Sequence, residues 1–330
     1  MSVIEVGGLT VRAGERKTGR FKISERPDGS DISFSFTVTN GINPGPTLLL
    51  TAGTHGDEVE SVLGVVKFTK QLDPKNMSGT VITVPVLNSY AFEAWSRGNP
   101  LERYHFDLAR IYPGRPDGSL TEMIAYKYLN EFVPKAKYLI DAHGGGNTTY
   151  IHFPYAIYQG SSEADIDFAK GMGPEWSFIG PASSSKGTLS GAALERGVTS
   201  MTLELGGSSN RLPEPYGENV ERFVRGLQNL LKHLRITSGE PDYPSSWTVI
   251  ERKEPRMKNG GLIEYTPNCK LGNAVKKGTP LLKILNLYGD VIEIVEAPVD
   301  GCVLALPGQP VAYPGEPMGM LYTVIKTISK

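Results

Sequence analysis

The chain has 330 residues, 39% of them hydrophobic and 21% charged, with a formal net charge of -1. This is ordinary globular composition, long enough for a large core and a smaller second unit. It excludes a polyanion partner such as nucleic acid, a disulfide framework built on only Cys269 and Cys302, and a membrane-spanning helix, for which roughly 20 apolar residues are needed. The start of the chain has no basic segment followed by an apolar run, so it does not read as a signal peptide, and a cytoplasmic enzyme is expected.

Residues 1–43 read as short strands with polar turns, of which Asp31-Ile-Ser-Phe-Ser-Phe-Thr-Val-Thr39 alternates clearly. Thr47-Leu-Leu-Leu-Thr51 is a continuous apolar run, as expected of a strand buried on both faces. A Gly/His loop follows. The stripe Val59, Val62, Leu63, Val66 and Phe68 then predicts a helix from about Glu58. Thr80–Val84 is the next strand. Ser119 and Glu122 have capping-box spacing and announce a helix through Ile124, Tyr128 and Leu129. Tyr138–Asp141 and Val198–Leu205 are further buried strands. Val220, Phe223, Val224, Leu227, Leu230, Leu231 and Leu234 mark an amphipathic helix. Strands alternating with helices predict an α/β fold with a parallel or mixed sheet. Ser238–Ser246 reads as a linker. Beyond it helical signals stop and Gly-turned β segments recur, which predicts a small all-β unit.

Two of the five histidines lie where chemistry is expected. His55 sits in Thr51-Ala-Gly-Thr-His-Gly-Asp-Glu58 and His143 in Ile140-Asp-Ala-His-Gly-Gly-Gly146, each after a buried strand, where ligands of α/β sheets gather. One tight turn points His55 and Glu58 at a single place. Two histidines and one carboxylate leave a fourth coordination position open, the pattern of a catalytic zinc. Spacing alone leaves two readings open, a metal site or hydrogen-bonded structural histidines.

His55-Gly-Asp-Glu58, Asp107-Leu-Ala-Arg110, His143 and Thr202-Leu-Glu-Leu-Gly206 follow one another in an order that resembles the succinylglutamate desuccinylase/aspartoacylase family, a branch of the zinc carboxypeptidase-like hydrolases. The likeness runs from about residue 45 to 235 and continues into Ala297-Pro-Val-Asp-Gly301 and Pro314-Gly315. It implies a mixed sheet with flanking helices over 1–237 and a small C-terminal β-barrel over 238–330. It implies one Zn2+ per chain on His55, Glu58 and His143, with Glu204 as general base for a metal-bound water. Asp107 would orient a ligand histidine. Arg110 would meet a substrate carboxylate or the developing oxyanion. A second substrate arginine is expected at Arg103 or, with slightly less support, Arg97.

The family usually reads Asp-Leu-Asn-Arg, and Ala109 stands here in place of the Asn. Losing that contact to a carboxylate costs about 1.5–3 kcal/mol, so the substrate is expected either to present a free α-carboxylate differently or to lack that group. The implied reaction is hydrolysis of an amide in a small N-acyl amino acid or related N-acylated amine. A peptide-trimming metallocarboxypeptidase and a non-catalytic binding protein are the alternatives. His152 reads as structural, His233 as solvated, and Tyr265 and Tyr288 as weak candidates to reach the pocket. The sequence leaves the acyl group, the amine and any homo-oligomeric state open.

Overall fold

The computed structural model describes residues 3–147, 149–206 and 213–330. Its frame is a 13-stranded mixed sheet. Asn43–Thr51 lies at the centre, parallel to Ser78–Val84 on one side and to Tyr138–His143 on the other. Thr199–Glu204 continues the sheet parallel to Tyr138–His143. Tyr155–Tyr158 then adds in the antiparallel sense. Toward the other edge, Asp31–Asn40 and Glu15–Glu25 add antiparallel strands. The second of these is 11 residues long, not the short strand expected.

The apolar run at 48–50 explains the centre. Leu48 and Leu50 enter the core that holds Phe68, Phe168, Trp176 and Phe223. Leu49 enters the core on the opposite face, with Phe34, Phe36, Tyr128 and Phe132. Alternate side chains of a strand point to opposite faces, so such a run needs helices on both sides. Val59–Gln71 and Pro213–His233 cover one face and touch where Gly64 meets Phe223. Leu120–Glu131 covers the other, opened by the expected capping box of Ser119 and Glu122.

Three short helices carried no clear sequence signal: Ser89–Glu93, Glu163–Lys170 and Leu189–Leu194. His233 is not solvated. Its ring bonds the Tyr243 hydroxyl at 2.8 Å and Asp167 at 3.0 Å, and 9% of the side chain is exposed. The polar side of a helix met a following loop that the stripe alone does not reveal.

The C-terminal residues are all β, as expected, but they divide between two sheets. Ser246–Lys253 joins the central sheet parallel to Phe178–Pro181, with Met320–Ser329 antiparallel beside it. Gly261–Tyr265, Pro280–Leu285, Val291–Glu296 and Val311–Ala312 form a separate four-stranded antiparallel sheet. The C-terminal part is thus tied to the main sheet by backbone hydrogen bonds. Among the described residues, no helix is long and apolar enough to cross a membrane.

Candidate metal centre

Both histidines stand at the carboxyl ends of central strands, His55 in the loop after Asn43–Thr51 and His143 as the last residue of Tyr138–His143. Glu58 precedes the helix Val59–Gln71, yet its side chain does not cap that helix. The carboxylate turns instead to the histidines. Glu58 Oε1 lies 2.7 Å from His55 Nδ1 and Oε2 lies 2.9 Å from His143 Nδ1. The backbone N–H of Gly144 donates to the same Oε2 at 3.1 Å. The ligand atoms of all three residues fall within 4.8 Å of one another, and all three residues are buried.

Gly56 is needed for this turn. A Cβ there would sit 1.9 Å from the Ala91 carbonyl carbon. Its backbone N–H meanwhile donates to Ser96 O at 2.9 Å. Gly56→Ala is therefore expected to lower stability by about 1–3 kcal/mol or more and to weaken metal binding, readable by denaturant melts with and without zinc.

The far nitrogen of each ring meets a carboxylate. His55 Nε2 lies 3.0 Å from Asp107 Oδ1, and His143 Nε2 lies 3.0 Å from Asp141 Oδ2. A ring N–H donating to each carboxylate leaves both Nδ1 atoms as lone pairs. Those lone pairs stand 3.2 Å apart and face the Glu58 oxygens, acceptor against acceptor. Only further protons or a cation resolves that contact, so the donor set fits a divalent metal. Burial pushes the Glu58 carboxyl up, but the charges of His55 and His143 prevail and hold it well below the usual carboxylate range. Burial pulls His143 down, while Asp141 and Glu58 prevail and raise it well above normal.

Asp107 is held below the usual range by the His55 hydrogen bond and the Arg97 charge, both acting against its burial. Arg97 grips the other oxygen of Asp107 at 2.9 Å through Nη2 and reaches 3.8 Å from Glu58 Oε1. Arg97 and Arg110 both line the cavity over the triad; Arg103 is exposed and is not on its wall. The lower-ranked arginine is thus the one beside the triad. Arg110 Nη1 bonds its neighbour's carbonyl, Ala109 O, at 2.9 Å.

Glu204 ends its strand directly beside His143, as the parallel register pairs the two residues. It lines the same cavity of about 570 Å³. Burial pushes its carboxyl up to about 7; the His143 charge pulls against this, and the Glu58 carboxylate adds to it. The far wall comes from the C-terminal residues, with Arg252, Glu254 and Met320 among them. Arg252 stacks over the Tyr155 ring, 5.6 Å from its centroid. Tyr265, His152 and the exposed Tyr288 are not on the wall.

The sequence reading missed Asp141, Arg252 and Gln159. Asp141 was detectable, because it lies two residues before His143 on the same strand and so on the same face. Arg252 was not, since nothing local shows that its strand returns to the central sheet.

The catalytic-domain signature of succinylglutamate desuccinylase/aspartoacylase matches residues 44–234. The chain belongs to this family. It is 30% identical over 273 residues to N-alpha-acetyl-L-2,4-diaminobutyric acid deacetylase of Halomonas elongata, covering 79% of this chain and 77% of that protein. The product-bound structure of the ectoine utilization protein EutE (DoeB) from Ruegeria pomeroyi superposes with a TM-score of 0.81 at 25% identity, over 93% of this chain and 95% of that one. A succinylglutamate desuccinylase/aspartoacylase structure from Rhodobacter sphaeroides has the same fold, with a TM-score of 0.81 at 23% identity over 94% and 96% of the chains. Family membership and the triad together support a metal-dependent hydrolase of the deacylase kind.

Asp107→Asn and Asp141→Asn are each expected to weaken zinc affinity by about 10–100-fold, as read by competition with a chromogenic chelator.

Proposed function

We propose that the chain hydrolyses the amide bond of a small N-acyl amino acid or related N-acylated amine, with one zinc ion held by His55, Glu58 and His143. The observation that carries this reading is the meeting of the triad and Glu204 in one cavity. A zinc ion held there would supply Lewis acidity, lowering the pKa of water to about 7 and polarising a carbonyl.

The rest falls to the chain's own residues. Glu204 takes a proton from the attacking water and passes it to the departing nitrogen. Burial raises its carboxyl toward the working pH, where acid–base catalysts perform best, and the charge of a bound zinc would draw it back down. Arg110 offers a guanidinium to the oxygen on which negative charge develops. Asp107 and Asp141 hold the two rings in one tautomer, and Arg97 steadies Asp107 while facing the substrate. Of the two arginines weighed from sequence, we assign the substrate contact to Arg97.

A cavity of about 570 Å³ is of the size that takes small molecules. Residues 238–330, read as a small β-barrel unit after a hydrolase domain of 1–237, would wall the site and favour small substrates over peptides. The name of the Halomonas elongata relative supports an Nα-acetylated diamino acid as the first compound to try. The test is acetate release by zinc-loaded protein from Nα-acetyl-L-2,4-diaminobutyrate and from a panel of other N-acyl amino acids. Release from at least one is expected, and none from any would contradict the proposal.

A further inference from the structure

Gln159 carries a polar atom that the fold leaves unmatched. It follows the strand Tyr155–Tyr158 and lies on the cavity wall. Its side-chain carbonyl oxygen is buried with no hydrogen-bond partner among the described residues. Its amide nitrogen reaches only Thr202 Oγ1, at 3.5 Å. That hydroxyl is already engaged by Ser190 Oγ at 2.8 Å. A buried acceptor without a donor is costly and calls for an explanation.

Its place in the sheet suggests the use. Thr202 pairs with Ile157 and Glu204 with Tyr155 in the antiparallel register. Side chains two apart on a strand share a face, so Thr202 and Glu204 point the same way, as do Ile157 and Gln159. The Gln159 amide beside Thr202 therefore sits one same-face step from Glu204, about 7 Å along the strand. That is the reach from a bond being cut to the far end of a short side chain. The cavity wall carries both charge signs, Arg97, Arg110 and Arg252 against Glu204, Glu254 and Glu316. Such a wall suits a zwitterion, with the arginines facing a carboxylate.

We propose that Gln159 is a specificity residue whose carbonyl oxygen accepts a hydrogen bond from an ammonium group on the substrate side chain. The substrate class is then an N-acyl diamino acid with its second amine free. This rests on the hydrolase reading above and narrows it.

The test compares Nα-acetyl-L-2,4-diaminobutyrate with Nα-acetyl-L-norvaline, in which a methyl group replaces the ammonium. Wild type, Gln159→Leu and Gln159→Met are assayed, the last keeping the side-chain length in case the first fails to fold. Wild type is expected to favour the diamino substrate by about 10–100-fold in kcat/KM, the range of a hydrogen bond to a charged group. Both variants should lose that preference, mainly through KM, with no fall in melting temperature. An equal loss on both substrates, or a preference left intact, would overturn the proposal. If wild type cleaves neither compound, the hydrolase reading is judged on the wider N-acyl panel, and Gln159 by melting shifts with free 2,4-diaminobutyrate. A shift in wild type that vanishes in Gln159→Met supports the contact, and no shift in wild type overturns it.

Discussion

Glu204→Gln should lower kcat by about 10³-fold, within the 10²–10⁴ range for a positioned acid–base group, while the protein keeps its zinc. Glutamine preserves the shape of the side chain and cannot take a proton. Glu204 lies outside the group of three ligand atoms, so the metal should stay at wild-type stoichiometry. KM should change little, because the loss falls on proton transfer and not on substrate contacts. Steady-state kinetics with metal analysis of the same sample separates these effects. A variant that keeps more than a tenth of wild-type kcat would remove Glu204 from the proton-transfer role.

Loss of the metal should have a still broader effect. Glu58→Ala and His143→Ala are each expected to abolish hydrolysis above background and to release the ion. Glu58 is the anion between the two histidines, its carboxylate oxygens 2.7 Å from His55 Nδ1 and 2.9 Å from His143 Nδ1. Without it, the two ring nitrogens face each other at 3.2 Å with no anion between them. Breaking a buried charge network by removing one partner costs about 3–5 kcal/mol, so Glu58→Ala should also melt earlier than wild type stripped with a chelator. Differential scanning calorimetry of the two metal-free proteins checks this. Equal melting temperatures would mean that Glu58 does nothing for the fold before the ion arrives.

Much of this arrangement can be read from single residues. Leu48, Leu49 and Leu50 identify a strand buried on both faces, and the structure sends them into two different cores. The Gly-flanked His55 and His143 mark strand ends. These signals are local, since each depends on a few neighbours and a fixed period. What the sequence could not show depends on contacts between distant segments. Arg97 and Arg103 both fit the motif spacing, and only the path of the loop puts Arg97 on Asp107. His233 looked solvated because Tyr243 lies in a segment with no periodicity. The placement of Arg252 beside Tyr155 requires Ser246–Lys253 to pair with Phe178–Pro181, some 70 residues earlier by the register Phe178↔Thr248. Loop closure of that length leaves no mark on either segment.

The most direct test of the central claim is the zinc content of the purified chain after zinc reconstitution and removal of excess ion. The account predicts about one zinc per chain in the wild type and none in His55→Ala. No zinc retained by the wild type, or retention unchanged by His55→Ala, would contradict it.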